Sequence, residues 1–488
     1  MRIAMISSEC EPFAKTGGLA DVVDALSRAL GRMGHEVDVY LPRYRTLARL
    51  PADPSPLAIA VPLGADPSAR HGDGLRRVPV TVWSAPADGY RLRLVEHDPS
   101  FARDGFYGGP DGDYPDNGAR FTLLGRAALE AIRAEARPVD VLHGHDWQAG
   151  PAILSLDARY RVDPLLARTP SVLTCHNLAY HGWVPRDRAW VLDLPEAIGE
   201  PAGVDLLREA VRTAELVNTV SPTYARESLT PEYGAGLDGD LQARGDRYSG
   251  ILNGIDTDLW DPAADPVLAA AYSLGDRSGK AACRADLAGR HGIDPAGPIL
   301  GLVGRLDPQK GFDLVAGAAE RLVAAGARLV ILGTGDERLV DTLRALAGRH
   351  ADRVAVIGRF DRDEARRIYA GADAFLMPSR FEPSGQGQLI ALRYGTVPIV
   401  RRTGGLADTI RDADRDPARG NGFVFEPADP DAFLDAALRA IAAWADRPRW
   451  DAIVGRGMAE DPSWSGPASR YLALYERAIA LRAQAATR

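Results

Sequence analysis

Three charged residues of the sequence are of the types that could stabilise charge during a group transfer. Arg305 and Lys310 are five residues apart around a proline, directly after the apolar run PILGLVG. A guanidinium offers a planar fork and an ammonium a point charge, so the two together suit a pyrophosphate. A surface turn with two solvated charges explains this pair equally well. Glu382, which follows AFLMPSRF, is the best candidate for a catalytic carboxylate, ahead of an acid that only stabilises a helix N-terminus.

A short sequence occurs once in each half of the chain. Thr-Gly-Gly-Leu-Ala-Asp stands at positions 16–21 and again at 403–408, and a basic residue precedes each copy. A Gly-Gly loop at a helix N-terminus lets backbone N–H groups approach a phosphate or sugar closely, and the helix dipole adds partial positive charge. One such turn would indicate tight geometry only. Two matching copies, each after a cation, favour anion binding.

Two further polar clusters follow apolar runs. His143, His145 and Asp146 come after VDVL, and His176 comes after SVLTC. Because polar residues in loops carry function more often than core residues do, we expect these side chains to face a cleft. His143 and His145 could be metal ligands, but a third ligand is not evident, so a hydrogen-bonding Asp146 is favoured. His176 taken alone is typical of a structural histidine.

The elements that would position these residues alternate between strands and helices. The runs that predict strands are RIAMIS, EVDVYL, VDVLHGHD, PSVLTCHN, LVNTVSP and YSGILNG in the first half, and PILGLVGR, ARLVILGTG, RVAVIG, DAFLMPS and TVPIVRR in the second. VPVTVWSA and GYRLRLVEH predict a hairpin added to the first sheet. Strand–helix alternation is typical of parallel sheets with right-handed crossovers.

The domain organisation follows from an interruption of this rhythm. Residues 256–297 are rich in Pro, Gly and Asp and predict a domain junction. The chain is therefore expected to be α/β, with two doubly wound lobes facing a central cleft. Ligands of such sheets bind beyond the carboxyl ends of the strands. A helix is expected from about residue 464 to 481.

Composition excludes several classes of function. The 58 basic and 66 acidic residues give a net charge of -8, which argues against a nucleic-acid binder with a broad basic field. The longest apolar runs fall far short of the ~20 residues of a membrane span. The N-terminus lacks the pattern of a secretory signal, and three cysteines cannot form a disulfide framework. The cytoplasm is therefore the expected location.

The motifs in series resemble those of bacterial glycogen synthases and the related plant starch synthases. The matching segments cover almost the whole chain in order: KTGGLADV, YPDNGARF, HGHDWQAG, TCHNLAYHG, NGID, GRLDPQKG, RFEPSGQGQ, RTGGLADT and PSWSGPASRYLALY. The resemblance implies a retaining glucosyltransferase with the GT-B fold. Such an enzyme moves glucose from ADP-glucose to the non-reducing end of an α-1,4-glucan such as glycogen, without a metal or organic cofactor. No nucleic-acid or membrane partner is expected.

The resemblance also implies three parts of the chain with different roles. Residues 1–255 would form the N-terminal lobe on the glucan acceptor side, and 256–462 the C-terminal lobe on the donor side. Residues 463–488 would form a helix that packs back on the N-terminal lobe. Closure of the two lobes on the donor is expected to exclude water.

The resemblance assigns roles to individual residues. Lys15 and the Gly17-Gly18 loop would approach the diphosphate, which Arg305 and Lys310 hold from the other lobe. Asp146 and His176 would contact the glucosyl unit, the latter partly through its backbone carbonyl. The expected catalytic residues are Glu382, Arg305, Lys310, His176 and Asp146. The expected substrate-binding residues are Lys15, Gly17, Gly18, Asp21, Asn253, Ser384, Gly385, Thr403, Gly404, Gly405 and Leu406, of which 403–406 would supply backbone N–H groups. No metal ligand is expected.

The sequence departs from the family pattern beside Glu382. Ser384 stands where the family usually has Cys, and Gln386-Gly387 where it has Leu-Thr. These substitutions remove no charged group, but they leave open whether the donor is ADP-glucose or UDP-glucose.

Four other functions fit the sequence less well. Another retaining GT-B glucosyltransferase would share Arg305, Lys310 and Glu382, but KTGGL and YPDN weigh against it. A catalytically weak glucan-binding protein is supported only by the altered stretch 384–387. A glucan phosphorylase needs a lysine bound to pyridoxal phosphate, for which no segment matches. A NAD-dependent enzyme needs GxGxxG after its first strand, and none is present.

Overall fold

The computed structural model describes residues 1–65 and 75–485, which fall into two compact units. Unit 1 comprises Met1–Val220, Ala225–Ile251 and Trp464–Arg488, and unit 2 comprises Ser221–Tyr224 and Leu252–Ser463. Within the described ranges, no helix combines the length and the apolar character that crossing a bilayer requires.

The strands are short and occur along most of the chain. They are β1 (Arg2–Ile6), β2 (Glu36–Pro42), β3 (Leu57–Gly64), β4 (Leu75–Pro86), β5 (Arg91–Glu96), β6 (Gly108–Gly109), β7 (Gly112–Asp113), β8 (Val141–His145), β9 (Ser171–Cys175), β10 (Trp183–Pro185), β11 (Gly203–Asp205), β12 (Leu216–Thr219), β13 (Tyr248–Gly250), β14 (Ile299–Val303), β15 (Arg328–Leu332), β16 (Val354–Ile357), β17 (Ala374–Met377), β18 (Val397–Arg401) and β19 (Phe423–Phe425).

Helices connect most of these strands. They are α1 (Gly18–Arg32), α2 (Asp98–Phe101), α3 (Asn117–Ala134), α4 (Asp146–Ser155), α5 (Leu206–Thr213), α6 (Pro222–Glu227), α7 (Asp238–Arg244), α8 (Ser278–His291), α9 (Phe312–Ala324), α10 (Glu337–Arg349), α11 (Arg362–Gly371), α12 (Gly387–Arg393), α13 (Gly404–Thr409), α14 (Pro430–Ala445), α15 (Arg447–Met458) and α16 (Ser465–Ala485).

Unit 1 is built on a sheet of nine strands in the order β13-β12-β9-β8-β1-β2-β5-β4-β3. The strands from β13 to β5 pair in parallel, while β4 pairs antiparallel with both β5 and β3. The predicted hairpin is confirmed as β4 and β5. Strand β3, which the sequence analysis did not identify, extends it at the sheet edge.

Unit 2 is built on a six-stranded parallel sheet in the order β16-β15-β14-β17-β18-β19. Numbered within the unit, this order is 3-2-1-4-5-6, the doubly wound arrangement in which the strand order reverses between the first and fourth strands. All five strands predicted for this half are confirmed. Ligands of such sheets bind outside the carboxyl ends of the strands at this reversal, here between β14 and β17.

The C-terminal helix belongs to unit 1. Along α16, Ala468, Tyr471, Tyr475 and Ala478 are buried at helical spacing and join the apolar core that also contains β1 and β8. This confirms the expected return of the C-terminal helix to the N-terminal lobe. The burial is also what brings two tyrosine hydroxyls into the interior, where they need hydrogen-bond partners.

Candidate active site

An ion pair joins the carboxyl ends of β14 and β17 in unit 2. Lys310 Nζ lies 2.7 Å from Glu382 Oε2, which also accepts a hydrogen bond from the Ser379 hydroxyl at 2.9 Å. The Glu382 side chain is 7% exposed and that of Lys310 is 25% exposed. Both residues were expected to be catalytic from the sequence, but not to pair with each other. The structure places a buried carboxylate and a partly exposed ammonium together at the expected ligand-binding edge.

The turn after β14 directs Lys310 towards this carboxylate. Asp307 caps a single helical turn at Pro308–Lys310, and its side chain accepts the Lys310 backbone N–H at 2.9 Å. Gly311 follows with φ +69°, and a Cβ there would lie 2.1 Å from the Pro378 carbonyl oxygen. Only glycine allows this close approach to the segment after β17. The DPQKG motif therefore fixes the direction of the lysine.

Arg305 lies in the same turn but is largely open to solvent. Its side chain is 64% exposed and pairs with Asp307 at 3.0 Å. A second contact joins its guanidinium to Gln309 Oε1 at 3.3 Å. Arg305 is thus held by its own turn, at the strand end where the diphosphate was expected.

The second copy of the Thr-Gly-Gly repeat packs against the backbone around Glu382. Gly404 has φ +43°, and a Cβ there would lie 1.9 Å from the Glu382 carbonyl oxygen. The Gly405 N–H donates to the same carbonyl at 3.1 Å, and the Leu406 N–H donates to the Thr403 carbonyl at 3.1 Å. The N–H groups of this turn were expected to bind a ligand. In the structure those of Gly405 and Leu406 bond to protein carbonyls, and that of Gly405 holds the Glu382 segment in place.

One glutamine side chain binds the stretch 384–387, which departs from the family pattern. Gln388 Nε2 donates to the carbonyls of Ser384 and Gly385 at 3.1 and 3.3 Å. Ser384 is buried, and its hydroxyl has no hydrogen-bond partner among the described residues. The same holds for Oδ1 of Asn253, which lies in unit 2 and is also buried. Buried polar atoms are nearly always paired, so both are candidates to bind a ligand.

In unit 1, a hydrogen bond brings Asp146 and His176 together. Asp146 begins α4 directly after β8 and has a left-handed backbone conformation, with φ +55°. Its carboxylate accepts the backbone N–H of His176, at the end of β9, at 2.6 Å. Residues held in such conformations cluster at functional sites, where the surrounding structure maintains them. The pair therefore fixes the carboxyl ends of two neighbouring strands.

Burial also changes the acidity of this carboxyl. It raises the pKa of Asp146 to about 7, against the opposing effect of the backbone N–H groups of His176 and Asn177. An aspartate with such a pKa changes its charge in the physiological range, which is typical of residues at functional sites.

The expected orientation of the neighbouring histidines is wrong. His143 and His145 lie inside β8 and are 0% exposed, so neither faces a cleft. The strand continues through these polar residues because each finds an internal partner. His143 contacts Thr174 at 2.7 Å and Tyr475 at 2.8 Å, and His145 contacts His176 at 3.0 Å. Across the described part of the chain, no three His, Cys, Asp or Glu side chains are grouped as metal ligands.

The first copy of the repeat is held by a carboxylate that the sequence analysis missed. Glu9 is buried and accepts the backbone N–H groups of Thr16 and Gly17, the latter at 3.1 Å, together with the Thr16 hydroxyl. These N–H groups were expected to face an anion. The position of Glu9 just after β1 was the available signal, but no motif marks it.

The cation of this loop is also paired. Lys15 forms an ion pair with Asp21 and lies 3.4 Å from Glu11. Gly18 opens α1, so the loop leads directly into the helix as predicted. Lys15 and Asp21, which were both assigned to substrate binding, thus contact each other across the Gly-Gly turn.

The chain matches two protein-family models and is similar to known proteins over almost its whole length. The family model described as "Starch synthase catalytic domain" matches residues 2–243, and that described as "Glycosyl transferases group 1" matches residues 297–443. The chain is 42% identical to a glycogen synthase of Syntrophotalea carbinolica, over 99% of both chains. It is 43% identical to glycogen synthase 2 of Geobacter sulfurreducens, over 99% of this chain and 100% of that protein.

Two solved structures extend the comparison. The catalytic domain of starch synthase IV from Arabidopsis thaliana, bound to ADP and acarbose, superposes with a TM-score of 0.87 and 33% identity, over 98% of this chain and 99% of that one. A sucrose-phosphate synthase from Thermosynechococcus elongatus gives a TM-score of 0.60 at 19% identity, over 98% of this chain and 99% of that one, a similarity of fold alone.

Proposed function

This chain belongs to the family of bacterial glycogen synthases and starch synthases, and on that basis we propose that it transfers glucose from ADP-glucose to the non-reducing end of an α-1,4-glucan. It is a glycosyltransferase with the GT-B fold and glycogen synthase function. The observation that carries the proposal is the Lys310–Glu382 pair at the strand ends of unit 2. The starch synthase bound to ADP and acarbose supports a nucleotide and a glucan as ligands.

We propose that residues 256–462 bind the donor, residues 1–255 bind the acceptor, and residues 463–488 support the latter as a helix. Lys310 and Arg305 support the donor assignment, since cations stabilise a diphosphate, and Lys310 is paired with Glu382. We also propose that Asp146 and His176 of the N-terminal part contact the glucosyl unit.

The reaction breaks the bond between the anomeric carbon and a diphosphate oxygen and forms a bond to a glucan hydroxyl oxygen, whose proton passes to the leaving diphosphate. Negative charge grows on the leaving diphosphate and positive charge on the sugar. An ammonium has three N–H donors, and the bond to Glu382 uses one of them, so Lys310 can also donate to diphosphate oxygens. Arg305 adds a planar fork for the same group. Both cations stabilise charge where it develops, without a metal ion.

Glu382 stabilises the other end of the breaking bond. Its carboxylate is held by Lys310 and Ser379, so it is a fixed negative group rather than a mobile one. We propose that it lies against the sugar and stabilises the positive charge of the transition state. Retention of configuration then follows from attack by the glucan hydroxyl on the face that the diphosphate leaves.

The donor can be identified by measuring kcat/KM for ADP-glucose and UDP-glucose with glycogen as acceptor. We expect ADP-glucose to be preferred at least ~10-fold, a difference of ~1.4 kcal/mol. The matched variant is Ser384→Cys, which restores the usual family residue without changing charge. A preference that grows in this variant would assign Ser384 to donor recognition. A higher kcat/KM with UDP-glucose would overturn the proposed donor.

The raised pKa of Asp146 predicts a pH dependence. If the ionised carboxylate binds a sugar hydroxyl, kcat/KM should fall about tenfold per pH unit below the pKa of about 7. Protein stability should change in the opposite direction to activity, since it falls as pH rises. Between the ordinary pKa and the raised one, the folded protein binds a proton that the unfolded chain has released, so the free energy of unfolding contributed by Asp146 decreases as pH rises.

Asp146→Asn is the control, because it keeps the size of the side chain and tolerates the left-handed backbone. This variant should have low activity and should lose the inflection near pH 7 from both kcat/KM and thermal stability. An inflection that persists unchanged in Asp146→Asn would assign it to another group.

We propose the cytoplasm as the location of the enzyme. The support is that Cys10, Cys175 and Cys283 are all free thiols, which fits a reducing compartment.

A further inference from the structure

A histidine outside the proposed active site contacts the ring of His176. His145 lies in β8, fully buried, and its Nδ1 is 3.0 Å from Nε2 of His176. The ring centroids are 5.3 Å apart, with 34° between the ring planes. One hydrogen bond therefore links the two imidazoles, and its direction decides which nitrogen of His176 carries a proton.

Both rings are neutral at the pH at which enzymes of this kind work. Burial lowers the pKa of His176 to about 3 and holds that of His145 well below its usual range. A neutral imidazole has one N–H donor and one bare nitrogen that accepts. Two arrangements are then possible: His145 donates to His176, or His176 donates to His145.

The surroundings of His145 distinguish the two. Its other nitrogen, Nε2, is buried and has no hydrogen-bond partner among the described residues. If His176 were the donor, His145 would carry its proton on this nitrogen, as a buried N–H without an acceptor. Orphaned buried N–H groups are rarer than under-satisfied acceptors, and leaving a buried donor unpaired costs its full desolvation. The arrangement with a bare Nε2 avoids that cost.

We infer that His145 donates its Nδ1–H to Nε2 of His176 and thereby fixes the tautomer of His176, with the proton of that ring on Nδ1. The ring of His176, which is only partly buried, can then donate but not accept at Nδ1. The inference rests on the proposed contact between His176 and the glucosyl unit, and deepens it. The ring supplies a hydrogen bond to a hydroxyl oxygen of the sugar, and His145 is a positioning residue for it.

The ring of His145 packs against a second histidine, His143, whose tautomer is also fixed by hydrogen bonds. The Thr174 hydroxyl donates to Asn218 Oδ1 at 2.8 Å, so at 2.7 Å it accepts from Nε2–H of His143. Nδ1 of His143 consequently accepts from the Tyr475 hydroxyl at 2.8 Å. The His143 ring packs on His145 with centroids 4.2 Å apart. This network uses both nitrogens of His143 and neither nitrogen of His145.

The tautomers can be read directly by long-range proton–nitrogen NMR on protein labelled with ¹⁵N-histidine, without substrate. The His176 signals are assigned by their loss in His176→Gln. We expect the proton of His176 on Nδ1 in the unmutated protein. In His145→Leu, which removes the donor but keeps an apolar core side chain, we expect mixed tautomers and a kcat at least ~10-fold lower, as for one lost hydrogen bond in the transition state.

Two further variants separate positioning from packing. His145→Asn places an amide N–H near the position of Nδ1, so it should restore the tautomer and most of kcat. Tyr475→Phe removes the bond to His143 but leaves the His145–His176 bond. It should lower the melting temperature and leave kcat and the His176 tautomer unchanged.

These experiments distinguish a failure of the inference about His145 from a failure of the proposed function. A proton on Nε2 of His176 in the unmutated protein overturns the inference, whether or not any variant folds. An unchanged tautomer in His145→Leu overturns it as well. If the tautomer changes in His145→Leu but kcat does not, His145 does fix the ring, and the proposed contact of His176 with the sugar is what fails.

Discussion

Replacing Lys310 by alanine is expected to lower kcat by ~10²–10³, with a much smaller change in the KM for the donor. The ammonium stabilises charge that grows on the leaving diphosphate, so its interaction is stronger in the transition state than with the bound donor. Losing such an interaction lowers kcat rather than affinity. Steady-state kinetics with varied ADP-glucose at saturating glycogen measure both constants.

The same substitution should also lower the melting temperature. Glu382, which is almost fully buried, would keep the Ser379 hydroxyl as its one side-chain partner among the described residues, and an uncompensated buried charge is destabilising. The double variant Lys310→Met, Glu382→Gln removes both charges at nearly constant volume. It should recover stability without recovering kcat. If the double variant regains activity, the loss in Lys310→Ala comes from misfolding. A near-normal kcat with weaker donor affinity would make Lys310 a binding contact only.

Replacing Arg305 by alanine is expected to lower kcat by a similar ~10²–10³, but with little effect on stability. The side chain is 64% exposed and its ion pair with Asp307 is a surface contact, which contributes little to folding. Arg305→Lys should recover activity only in part, because an ammonium cannot reproduce the bidentate fork of a guanidinium. The measurements are kcat, KM and the melting temperature for the three proteins.

The chain offers a closely matched control in Arg359. Its side chain is also 64% exposed, and it pairs at 3.0 Å with Asp361, two residues further along, as Arg305 does with Asp307. Arg359 follows β16 at the sheet edge, however, whereas Arg305 follows β14 beside the point where the strand order reverses. Arg359→Ala should keep kcat. Equal losses in both alanine variants would indicate a general effect of surface charge and contradict the role of Arg305.

The sequence was sufficient for the strands that are apolar along almost their whole length. In unit 2, the runs that become β14 and β15 are apolar almost throughout because the strands are covered on both faces. Within the two main sheets, two strands were missed, and both lack this signal. Strand β19 has only three residues, and β3 is buried only over its second half and contains Pro62, which favours a sheet edge.

The site was harder to predict, because its contacts join residues that are distant in the chain. The ion pair of Lys310 and Glu382 spans 72 residues, and the bond between His143 and Tyr475 spans 332. Two histidines after VDVL look like the start of a polar loop. They become part of a strand only because partners far along the sequence satisfy them in the core.

The partners of the two Thr-Gly-Gly copies were also hard to predict from the sequence. Its residue types indicated exposed N–H groups, but the structure gives those of Thr16 and Gly17 to Glu9, and that of Gly405 to the Glu382 carbonyl. A motif indicates where the backbone approaches another group closely. It does not say whether that group is a ligand or the protein itself.

The central claim is that this chain lengthens an α-1,4-glucan by transferring glucose with retained configuration. The most direct test follows ADP-glucose and a maltooligosaccharide by proton NMR in the presence of the protein. We predict that the signal of new α-1,4 linkages grows in step with the release of ADP. Release of ADP with free glucose and no longer glucan, or formation of a β-linked product, would contradict the account.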